Sequence, residues 1–200
     1  MEEKFMSFDY LFNRFSFFRY TFFIFSIFIL LSTSIYAGST SNLDYQVEKA
    51  LDVFHQKYPK GKKLLSEAKG VLIFPSIVKL GVLFGGETGE GALHVNNKAV
   101  AYYRTTSGSL GFQLGIQKKR SLIFFMTDES LEDFKNSAGW TMGVDASVAL
   151  ITLGTGALTD ISALSKLDSP VLYVTYDNLG FMGNLTLEAK KVMKINKYLL

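Results

Sequence analysis

The chain has 200 residues, 21 Lys+Arg against 18 Asp+Glu, a formal net charge of +3, 48% hydrophobic residues and no cysteine. So mild a basic excess falls well short of a nucleic-acid-binding protein. With no cysteine and only two histidines, the chain has neither a disulfide framework nor the usual ligands of a structural zinc site, and no cofactor is implied.

Residues 1–37 read as a signal peptide. Lys4, Arg14 and Arg19 form a basic start, Thr21 to Leu31 an uncharged apolar core, and Ser32 to Ala37 a small-residue exit with cleavage expected after Ala37. The charge-free run is at the lower limit of the roughly 17 to 25 residues that span a bilayer, so a retained anchor is the competing reading. Export to the periplasm or cell envelope is the expectation. The segment holds three acids and three bases, so residues 38–200 keep the whole +3. At that length one domain is expected, burying roughly 68–70% of its unfolded surface.

Leu43, Val47, Ala50, Leu51, Phe54 and Tyr58 recur at helical spacing, with Ser41 as expected cap and Pro59 after the end. A short helix over Lys62–Lys69 follows. Val71–Phe74 reads as a strand stopped by Pro75. Strands are expected at Leu80–Phe84, Ala92–Val95, Val100–Arg104, Ser109–Ile116 and Ser121–Met126, with a turn at Asn96-Asn97. Ser121–Met126 is apolar on both faces and should be central. Thr127 or Asp128 starts a helix of about ten residues ending near Gly139, with acids in its first turns. Trp140–Leu153 fits strand or helix, Gly154–Ser169 reads as loop, and Val171–Tyr176 and Phe181–Leu187 as strands before a lysine-rich end.

Glycine is the most distinctive feature. Gly81, Gly85, Gly86, Gly89 and Gly91 crowd one stretch, Gly111 and Gly115 a second, and Gly81, Gly111, Gly143 and Gly180 each stand between apolar residues. Repeated glycine in strands predicts a sheet bent at those points. As a phosphate-binding loop the stretch fails, because Glu87 and Thr88 occupy the positions that need Lys and Ser/Thr, and no dinucleotide fingerprint fits. Glu87 and Glu90 form no convincing acid pair; on a glycine-rich turn both are expected in solvent. Ser107-Gly108-Ser109 lacks nucleophile-elbow spacing, and His94, on a strand, reads as structural. No catalytic residue is assigned, and the chain is not expected to be an enzyme.

Cations gather at Lys60, Lys62 and Lys63, at Lys118, Lys119 and Arg120, and at Lys190, Lys191, Lys194 and Lys197. Charge alone makes these solvated patches.

Ordered blocks change the weighting. Ala68-Lys69-Gly70-Val71-Leu72-Ile73-Phe74-Pro75, the Gly81–Gly91 stretch, Tyr102-Tyr103 and Ser109 to Gly115 resemble the bacterial branch of the SYLF domain family. Phe125 to Phe134, Gly139-Trp140, Gly143 to Ala149 and Gly180 to Glu188 continue the resemblance, which spans Leu43 to Ile195. The chain departs from the family pattern at Ala189, where glycine is usual, and at Gly183-Asn184. The resemblance implies a lipid-binding module: eukaryotic relatives bind phosphoinositide membranes, the fungal branch also actin filaments, and bacterial relatives are exported, associate with lipid or the envelope and have no established catalysis. On that basis Lys62, Lys63, Lys118, Lys119, Arg120, Lys190, Lys191 and Lys194 are expected to attract anionic headgroups, at roughly 1 kcal/mol each near the surface.

The expected architecture is a single α+β domain over 38–200, with a curved, mainly antiparallel, glycine-rich sheet and flanking helices. The first helix either docks on that sheet or offers Leu43, Val47, Leu51 and Phe54 to lipid, docking being favoured. Rival readings are an envelope structural or protein-interaction domain, with an actin-type role as in eukaryotic relatives, and a small outer-membrane barrel.

Overall fold

Apolar side chains on both faces of the central strands force this sheet to be covered on both sides. In the computed structural model, residues 40–81, 84–110, 115–154, 161, 164, 167–179 and 190–196 are described, all within the unit Gly38–Leu200. They form helices α1 (Thr40–Lys57), α2 (Gly61–Glu67) and α3 (Asp128–Asn136) and strands β1 (Gly70–Gly81), β2 (Phe84–Val95), β3 (Lys98–Leu110) and β4 (Gly115–Phe125). The remaining strands are β5 (Trp140–Thr141), β6 (Val148–Thr152), β7 (Val171–Leu179) and β8 (Lys191–Ile195). One curled sheet runs in the order β5-β8-β3-β2-β1-β4-β7-β6, antiparallel throughout except for β6 against β7. The expected α+β class and mainly antiparallel sheet are therefore observed.

Alternation along β1 sends Val71 and Ile73 to one face and Leu72 and Phe74 to the other. On the first face α1 packs through Leu43, Val47, Ala50 and Phe54, all buried, with the Phe54 ring 5.4 Å from Tyr176 and 6.4 Å from Phe124. The Tyr176 hydroxyl donates to the Ala50 carbonyl at 2.8 Å. Docking on the sheet is thus the fate of this helix, and its apolar stripe is not free for lipid. On the second face α3 inserts Leu131 and Phe134, the latter ring 4.7 Å from both Tyr103 and Phe125 and 5.5 Å from Trp140. Thr127 caps α3, its side-chain oxygen accepting from the Ser130 amide at 3.1 Å. No helix among the described residues is long and apolar enough to cross a membrane.

Three expectations need correction. Pro75 does not stop β1: its missing N–H falls where register slips against both neighbours, between Ile73 and Ser76 facing β2 and between Phe74 and Ile77 facing β4, so the strand continues through a bulge. Gly85–Gly91 is not a turn but the first half of β2. The glycines that answer the bulge are Gly89 and Gly91, where a Cβ would lie 2.7 Å from the Ser76 carbonyl oxygen and 2.3 Å from that of Ile73. Gly81 ends β1 and Gly143 sits in a turn with φ 80°, so neither bends a strand from within; Gly111 and Gly180 lie outside the described residues. Third, the lysine-rich end is a strand, β8, joining β3 to β5.

Smaller differences follow the same logic. Ser41 lies inside α1 rather than before it. Trp140–Leu153 resolves into β5, a turn and β6. Ile161 and Leu164, in the stretch read as loop, are buried against the α1 side of the core. The Phe181–Leu187 strand and the expected signal segment lie outside the described residues.

Candidate functional site

The strand ends opposite the Asn96-Asn97 turn carry the chain's most unusual chemistry. Lys79 of β1 faces Glu87 of β2 on one side and Gln117 of β4 on the other, and Lys119 is two residues further along β4. By alternation these belong to the α3 face, but beyond the reach of its apolar layer. All four side chains are buried, Glu87 with only 4% of its surface exposed.

Glu87 accepts two charged hydrogen bonds. Lys119 Nζ donates to Oε2 at 2.7 Å and Lys190 Nζ, just before β8, to Oε1 at 2.5 Å. Around them Ser121, Thr105 and Thr175 are also buried, Ser121 Oγ lying 2.9 Å from the Tyr173 hydroxyl. Burial works against the Glu87 charge, but attraction from Lys190 and Lys119 and both hydrogen bonds outweigh it and hold its carboxyl below the usual value of 4.5. For Lys119, burial opposes the ammonium while Tyr173 and Glu87 favour it, and the balance raises its pKa. Both carboxylate oxygens are engaged by ammonium groups, which makes Glu87 a tie between strands rather than a free base. The expectation that Glu87 is solvated is overturned; Glu90, half-buried, accepts from Arg104 Nη2 at 2.5 Å.

The predicted basic clusters are divided by strand geometry. Lys118 and Arg120 point to the α1 face and Lys119 to the other, because neighbouring strand residues alternate. Lys118 is exposed, whereas Arg120 is half-buried and pairs with Asp177, which Lys57 also contacts. Lys190 is buried on Glu87, while Lys191 and Lys194 are exposed on β8. Lys62 and Lys63 are exposed on α2, Lys63 lying 3.5 Å from Glu67. Lys60 is exposed, and Lys197 lies outside the described residues.

His94 is a strand residue as expected. It lines a cleft of about 270 Å³ with Leu51, Leu65 and Asn96, and burial lowers its pKa despite Glu48 and Asp44 nearby. Among the described residues no three His, Asp or Glu side chains gather as a metal site.

What sequence reading missed here is the Glu87 cluster. Its available signal was the alternation of Lys79 with Val78 and Leu80, and of Gln117 and Lys119 with Ile116 and Lys118.

Residues 106–197 match the protein family described as Ysc84: Las17-binding protein actin regulator. No curated protein matches the chain.

Proposed function

From the family match over residues 106–197 and its agreement with the ordered SYLF-like blocks, we propose that the chain is a non-catalytic module of the bacterial cell envelope that binds membrane surfaces through anionic lipid headgroups. The observation that carries this reading is the state of the lysines. Lys62, Lys118, Lys191 and Lys194 are exposed and make no ion pair among the described residues, so they are available to a polyanionic surface. Export to the periplasm or envelope is part of the same proposal and rests on the charge and apolar pattern of residues 1–37. Phosphoinositide-type recognition, as in eukaryotic relatives, is one form that headgroup binding takes.

The test is co-sedimentation of the full chain with vesicles of phosphatidylcholine alone or mixed with phosphatidylglycerol. Binding is expected to favour the anionic vesicles and to weaken as salt rises, because exposed charges are screened. Equal retention on both vesicle types, or on neither, would sink the proposal. The family description favours a second reading, a protein-interaction domain of the envelope with an actin-type role. That reading gains if a protein partner is captured with no lipid present.

A further inference from the structure

The membrane reading leaves open which part of the domain meets lipid, and the charge pattern of one sheet end answers it. Along β1 the order is Val78, Lys79, Leu80, and along β4 Ile116, Gln117, Lys118, Lys119. Lys79, Gln117 and Lys119 are buried on the α3 face, whereas Leu80 and Ile116, on the opposite face, are 53% and 70% exposed. Polar groups inside and apolar groups outside invert the usual arrangement of a water-soluble sheet. A polar interior behind an apolar exterior is the patterning of strands that face lipid.

Leu80 and Ile116 are direct register partners across β1 and β4. Among the described exposed large hydrophobics they are the two that face each other in this way. Their row continues over bare backbone, since Leu80 pairs with Gly86 and Gly86 with Gly108, both exposed. Unlike Gly89 and Gly91, these two glycines answer no internal crowding. A Cβ on Gly108 would meet nothing within 4 Å, and one on Gly86 only the Ser107 carbonyl oxygen at 3.9 Å.

A single exposed cation beside the apolar pair favours an anionic lipid surface as the occupant. Of the cations at this strand end, Lys79 and Lys119 are buried beside Glu87 and Arg120 pairs with Asp177, whereas Lys118 is exposed and makes no ion pair among the described residues. Exposed Lys118 stands two residues behind Ile116 on the same face, roughly 7 Å along the strand. From there its long stem reaches a headgroup while Ile116 meets acyl chain.

We infer that the β1–β4 strand end, centred on the Leu80–Ile116 pair, enters the outer part of an anionic leaflet while Lys118 engages a headgroup. The inference rests on the membrane-binding reading but fails separately from it.

The chain has no cysteine, so Ile116→Cys carries a single environment-sensitive fluorophore, and Asn136→Cys at the end of α3 serves as control. With phosphatidylcholine/phosphatidylglycerol vesicles, the probe at 116 is expected to shift to the blue and be quenched by brominated lipid, and the probe at 136 to do neither. The double variant Leu80→Thr, Ile116→Thr keeps charge and β-propensity, and is expected to bind these vesicles roughly tenfold or more weakly while keeping its far-UV spectrum. Undiminished binding by that variant, or an aqueous probe at 116 on bound protein, overturns the inference and leaves the membrane reading standing. Failure of the wild-type chain to bind anionic vesicles overturns both. Concentration-dependent shielding of the probe at 116 without vesicles overturns it in favour of a second copy of the chain.

Discussion

Glu87 shows how much one side chain depends on its surroundings. Flanked by Gly85, Gly86 and Gly89, it has the local sequence of a solvated turn, yet it is buried between Lys119 and Lys190. Removing the charge from one member of such a cluster leaves the partners' charges buried without compensation, which costs about 3–5 kcal/mol. Glu87→Gln, nearly isosteric, is therefore expected to destabilise the domain by that amount at neutral pH, measured by urea denaturation. Because the folded carboxyl has a pKa below the ordinary 4.5, the folded state binds that proton more weakly than the unfolded chain does. The stabilisation is thus complete above about pH 4.5 and is lost as pH falls through the folded value. The gap between wild type and Glu87→Gln should accordingly narrow below that pH; a gap that stays constant would show that the charge is not what stabilises.

At the scale of elements, the lesson lies in periodicity. Lys118-Lys119-Arg120 reads as one basic patch, but on a strand the run divides, Lys119 going to the interior and its neighbours to the other face. Lys190 and Lys191 divide in the same way. The helices were legible because α1 and α3 carry a clear apolar stripe and, for α3, a threonine cap. Strand ends were less so, since Pro75 and the glycines of β2 are breakers in isolation and become tolerable only when paired with each other across β1 and β2. Ala92 and Gly91 illustrate the pairing: both are buried, but the second has no room even for a methyl group. Gly91→Ala is expected to cost about 3 kcal/mol, the upper end of the usual overpacking range, because the atom it meets is the Ile73 carbonyl oxygen. Gly108→Ala, with open space around its Cβ, is expected to be neutral or to stabilise by roughly 0.5 kcal/mol through the unfolded chain. Equal thermal shifts for the two variants would contradict the division of the glycines into crowded and open positions.

For the molecule as a whole, two helical layers grip one sheet, and the central strands β1, β4 and β7 contribute to both sides of the core. Neither layer is complete without the sheet, so unfolding should be cooperative. Trp140 is the chain's single tryptophan and packs beside Phe125 and Phe134 on the α3 side. Its fluorescence should lose native character at the same denaturant concentration as the far-UV helix signal, to which α1 on the other face contributes most. Two separate transitions would show that the layers fold independently.

The amino-acid sequence by itself determined the α+β class, the three helices, the doubly apolar central strand at Ser121–Met126 and the resemblance to the SYLF family, because all of these follow from local periodicity and ordered motifs. Only the tertiary structure decided that β1 passes through Pro75, that Gly89 and Gly91 fit the resulting bulge, that Glu87 joins two buried lysines, and that Leu80 and Ile116 face outward together. Each of these depends on which strand lies beside which and in what register, and register is set by pairings between residues far apart in the chain.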